Sequence, residues 1–145
     1  MKALCLSFLI VTTLGASAAL LESPQKSGLQ IQSLSSLSFG PEGLLLVAEP
    51  ATASVVAVQT GDIGPKSERL AQPVADIGSQ IAAGLGAKKE DITIKDLAVN
   101  PASGRIYLGV QRRPDNAVLI VSVGADGKVA PLNLAPLSWV RITLP

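Results

Sequence analysis

Histidine is absent from this sequence, and its only cysteine and only methionine, Cys5 and Met1, stand within the first five residues. With no histidine and a single cysteine there is no Ser-His-Asp triad, no Cys-His dyad, and no zinc or haem site of the usual ligands. Aromatic residues are also scarce, with two Phe, one Tyr and one Trp. Lys and Arg are nowhere concentrated. Nucleic-acid binding needs a basic footprint and often stacking rings, so no nucleic-acid partner is expected. The sequence also lacks an apolar run long enough to span a membrane comfortably, since its longest such stretch covers only residues 3–14.

That stretch is informative in its setting. Lys2 precedes it, and Ala16-Ser17-Ala18 follows as an A-x-A cleavage signal. This is the three-part layout of a secretory signal peptide, predicted over residues 1–18 with cleavage after Ala18. An uncleaved membrane anchor is the alternative reading of the same residues. Processing would remove Cys5, Met1 and Lys2, leaving eleven basic and eleven acidic side chains, hence zero net charge and no disulfide. The expected localisation is export, periplasmic or extracellular, with no stable membrane anchor after processing. The rest is rich in Val, Leu, Ile and Ala, a globular composition and not a disordered one.

After a polar lead-in at 19–33, short apolar runs alternate with turn chemistry. "LSFGPEGLLLVAE" at 37–49 is echoed by "LAVNPASGRIYLG" at 97–109, with Pro41 and Pro101 sixty positions apart. The first copy predicts strands at 37–39, 44–48 and 54–59, and a more polar fourth at 66–71. The second predicts strands at 97–99, 105–110, 117–123 and 128–134, the third and fourth joined by an Asp-Gly hairpin at 124–128. Between the copies, Ile77, Ile81 and Leu85 recur every four residues and predict a helix of two to three turns on a sheet edge or end. Asp76 is its expected N-cap and Gly86 its C′ residue.

Four-stranded repeats with apolar central strands suit blades packed between neighbours. Over residues 34–134 the two repeat cores resemble those of NHL and YVTN-type β-propellers of secreted bacterial proteins. The resemblance implies a mainly β fold of two four-stranded antiparallel blades with one short helical insert. Blade one would occupy 34–72, the insert 73–91, blade two 92–134, and 135–145 would start a further, truncated strand. An ordinary antiparallel sandwich with two Pro-Gly hairpins is the alternative. Propellers close with four to eight blades, so two blades imply a fragment, or self-association through uncovered faces.

Motifs for chemistry do not survive inspection. "SPQK" at 23–26 has no S-D-N or K-T-G partner, "GLGAKK" at 84–89 lacks the third glycine and a preceding strand, and "GADGK" has one carboxylate where calcium needs several. No catalytic residue, cofactor or metal is assigned. The carboxylates Glu49, Asp62, Glu90, Asp91 and Asp96 read as surface or capping groups.

An up-and-down blade alternates its connections between two ends. The loops at 49–53 and 112–116 and the helical insert should therefore share one end, opposite the minimal turns at 40–43, 100–104 and 124–128. Loops are where scaffolds carry function, so an unidentified protein or small ligand is expected on the elaborated end. Glu49, Arg112, Arg113 and Asp115 are the candidate partner-facing residues. Arg112 and Arg113 would grip an anionic group, or else form a solvated loop beside Asp115. The expected function is a non-catalytic exported binding or scaffold module. The alternatives are a piece of a propeller enzyme, of the sugar-lactone hydrolase or quinoprotein dehydrogenase kind, whose active-site residues lie outside this chain, and a truncated product with no activity.

Overall fold

The computed structural model describes Leu21, residues 23–66 and residues 70–145. The expected signal peptide lies outside the described residues, as do positions 67–69 of the fourth strand expected at 66–71. Among the described residues the fold is mainly β, with two antiparallel sheets and one α-helix.

The first sheet is built from β1 (Gln25–Lys26), β2 (Ser36–Phe39), β3 (Leu44–Glu49), β4 (Ser54–Gln59) and β9 (Ser138–Thr143), in the order β1-β9-β4-β3-β2. Turn chemistry sets the β2–β3 hairpin. Pro41 fixes the first corner, and Glu42 and Gly43 both take left-handed backbone at φ 52° and 72°. A side chain at Gly43 would come within 2.5 Å of the Asp62 carbonyl oxygen, so only glycine fits. The second sheet is a simple meander, β5 (Ile92–Val99), β6 (Ile106–Arg112), β7 (Ala117–Val123) and β8 (Val129–Pro131).

One face of each sheet meets the other. Leu37, Leu45, Val47, Val56 and Val58 pack with Ala98, Tyr107 and Ile120, and Phe39 stacks edge-on to Tyr107 with ring centroids 5.0 Å apart. This shared core is common to a sandwich and to two neighbouring blades, and the sheets do not close into a ring. The lead-in, read from sequence as polar, adds Leu29 and Ile31 to the same core, and Leu34 just after it joins them. Leu34 reaches so close to Gly109 that any Cβ there would sit 2.6 Å from its methyl carbon.

Helix α1 (Ile77–Leu85) has the expected ends, with Asp76 accepting from the Ser79 amide and Gly86 in left-handed backbone at φ 61°. Its position differs from expectation. It lies across the outer face of the second sheet, where fully buried Ile81 packs with Leu108, Val110, Val121 and Val123. The reason is that this sheet face is mostly apolar, with Ile106, Leu108, Val110, Val121 and Val123, and needs a cover.

A second difference concerns β4. Its neighbour is not the 66–71 segment but β9, paired over six positions from Ser54 with Thr143 to Gln59 with Ser138. Residues 138–143, expected to begin a further strand, complete the first sheet instead. Trp139 and Arg141 supply the reason, since both turn their side chains to the inner face and are held there by the lead-in.

Candidate functional site

The sheets' two ends differ. At one end, residues 60–62 hold both hairpin turns. Thr60 Oγ1 donates to the Gly43 carbonyl at 2.7 Å. Asp62 Oδ2 accepts from Ser103 Oγ at 2.6 Å, Tyr107 Oη at 2.9 Å and Asn100 Nδ2 at 3.0 Å. Asn100 Nδ2 also reaches the Asp62 carbonyl at 2.6 Å, while Asn100 Oδ1 accepts from the Ala102 amide. Asn100 and Tyr107 are buried. Burial first, and then the Asp62 carboxylate, push the Tyr107 phenol well above its ordinary value. It is therefore a neutral hydrogen-bond donor and not a base, and the cluster holds turns together. Sequence reading assigned Asp62 to the surface; the polar residues of "NPASGR" that face it were legible only as a turn.

At the other end, the segment after α1 meets the β6–β7 loop. The Arg113 amide donates to the Asp91 carbonyl at 2.9 Å. Arg112 grips Asp115 with two bonds, Nε to Oδ1 at 3.0 Å and Nη2 to Oδ2 at 2.6 Å. That pairing holds the Asp115 carboxyl down at about 2 and raises Arg112 further. The Ala117 amide adds a bond to Asp115 Oδ1. Gly86, Ala87, Lys88, Asp91, Arg112, Pro114 and Asp115 rim an open depression of about 560 Å³. Lys88 on this rim and the exposed Arg113 in the adjoining loop have no ion-pair partner among the described residues. The guanidinium of Arg112 is already engaged, so Arg113 and Lys88 are better placed to meet an anion.

Glu49 is elsewhere. It ends β3 with its side chain turned inward and fully buried. Oε2 accepts from Arg141 Nε at 3.1 Å and Nη2 at 2.8 Å, and Oε1 accepts from the Gln32 amide at 2.7 Å. Arg141 Nη2 also donates to the Gln30 carbonyl, and its guanidinium stands 5.4 Å from the Trp139 ring. Glu49 thus ties the lead-in and β9 to the first sheet and does not face a partner. Its neighbour Pro50 borders a separate hollow with Lys95 and Gln111. Nothing in the sequence marked Arg141 as its counter-ion, because 92 residues separate them.

Among the described residues no three His, Cys, Asp or Glu side chains gather as a metal site requires, and no helix is long and apolar enough to cross a membrane. Comparison with known proteins finds no matching family model, no matching curated protein and no matching solved structure.

Proposed function

We propose that this chain is an exported, non-catalytic binding or scaffold module made of two blade-like repeats of the NHL and YVTN type. Its partner, a protein or small ligand, meets the end formed by residues 86–91 and 112–116. The observation that carries this reading is the asymmetry between ends. Equivalent turns of the two repeats are drawn together by residues 60–62, whose polar groups are spent on the hydrogen bonds that hold them. The longer segments at the other end surround a depression with the unengaged Lys88 on its rim and the exposed Arg113 in the loop beside it. The buried Glu49 and the half-buried Asp62 and Arg141 all hold segments of chain together, which suits a scaffold.

The test has two parts. Material recovered outside the cytoplasm should begin at Ala19, and a chain still starting at Met1 overturns export. A photo-crosslinking residue at Pro114 should give a discrete adduct in that fraction, whereas one at Ala125 should not. Equal labelling from both positions, or none from Pro114, overturns the assignment of the binding end.

A further inference from the structure

α1 covers part of the second sheet's outer face and leaves Ile94, Leu97 and Val99 of β5 exposed, whereas no described element lies over the outer face of the first sheet. Register places Ser36, Ser38, Leu44, Leu46, Ala48, Val55, Ala57, Gln59, Ser138, Val140 and Ile142 on that uncovered face. Lys26, paired with Ser138 at the edge, is the one charged residue that register adds to this face, and Leu44, Leu46, Val55, Val140 and Ile142 belong to neither core. Ile142 is 54% exposed. An apolar sheet face of this kind, charged only at its edge, marks an interaction surface.

We propose that a second copy of this chain occupies it, face to face about a two-fold axis running along β4. Charge placement selects this partner and this axis. The exposed Glu42 sits in the turn between β2 and β3, to one side of β4. The exposed Lys26 lies in β1, on the other side, in the row of Leu44, two residues beyond Glu42: Leu44 pairs with Gln59, Gln59 with Ser138, and Ser138 with Lys26. Neither has an ion-pair partner among the described residues. Rotation about β4 lays β3 over the partner's β9 and β2 over the partner's β1, so each Glu42 meets the other copy's Lys26. The same rotation sets Leu46 against the partner's Val140 and Ala48 against its Ile142. On the axis the small Ala57 faces itself and lets the sheets approach to about 10 Å.

The face measures about 20 Å by 20 Å, smaller than the roughly 800 Å² that each partner gives to a standard interface. The dimer is therefore weak and reversible, and its two ion pairs loosen in salt.

Sedimentation of the protein as its producing cell delivers it, from about 1 to about 100 μM, should show a monomer–dimer equilibrium weakened by salt. Leu46→Lys should leave a monomer throughout with the thermal midpoint retained. Glu42→Lys, in an exposed turn, should weaken the dimer roughly tenfold, and adding Lys26→Glu should restore it. A monomer at every concentration means that something other than a second copy covers this face, and overturns the proposal. Association that is indifferent to Leu46→Lys, or to both charge changes, overturns it as well.

Discussion

The two sheets of this protein are assembled in opposite ways from similar strands. The second is a continuous meander whose strands follow one another in order, and its cover, α1, immediately precedes it. The first gathers three distant segments: the β2-β3-β4 meander, β1 from the lead-in and β9 from residues 138–143. Closing β4 against β9 loops out about eighty residues, at an entropic cost that grows only slowly with loop length but must be met before pairing returns anything. Buried polar contacts are distributed accordingly. The second sheet's turn is fixed through Asn100, Ser103 and Tyr107 on Asp62, while the first fastens its distant pieces with the ion pair of Glu49 and Arg141.

The sharpest test of this contrast removes one apolar side chain from each outer face. Ile81→Ala strips the fully buried contact between α1 and the second sheet and should destabilise by about 3 kcal/mol. Leu46→Ala, on the uncovered face of the first sheet, should cost less than about 1 kcal/mol. Denaturant unfolding reads both, and equal losses would mean that the first sheet's outer face is covered too.

Arg141→Ala leaves the Glu49 carboxylate buried without its partner, and a loss on the order of 3 kcal/mol is expected, reduced by the partial exposure of Arg141. The location of the damage matters more than its size. Hydrogen exchange should speed up in β3, β4 and β9 while β6 and β7 keep their protection. Uniform loss across both sheets would show that they open as one unit.

Tyr107 bridges the comparison, because it belongs to the second sheet but reaches Asp62 after the first. Folding raises its pKa above the ordinary 10.0. The folded state thus holds this proton more tightly than the unfolded chain. The associated stability is complete below pH 10 and is lost as pH rises from there toward the folded value. Because the chain contains one tyrosine, ultraviolet absorbance of the ionised phenol reports it without interference. Tyr107→Phe should be less stable at neutral pH and flatter on the alkaline side, and an alkaline loss identical to wild type would remove Tyr107 as its source.

The smallest effect is expected at the open end. Arg112→Glu with Arg113→Glu touches only exposed loop contacts, so the thermal midpoint should shift too little to resolve, while crosslinking from Pro114 is lost. A large drop in the midpoint would make these arginines structural.

Much of this architecture is local and could be read directly. Strands β4 and β7 have the predicted limits, and α1 has the predicted caps, because each is specified by its own periodicity and by turn residues within a few positions. Pairing β9 with β4, burying Glu49 against Arg141, and gathering Asn100, Ser103 and Tyr107 around Asp62 were not legible. Each joins residues 38 or more positions apart, and a carboxylate after a strand has the same local signature whether it ends in water or in a core. Sequence alone determined the mainly β class, the turns, the helix and the absence of histidine chemistry, since these depend on residue type and short spacing. Only the tertiary structure decided which strand completes the first sheet, which face α1 covers and which charges are buried, because burial and long-range pairing are properties of the packed chain and of no local segment.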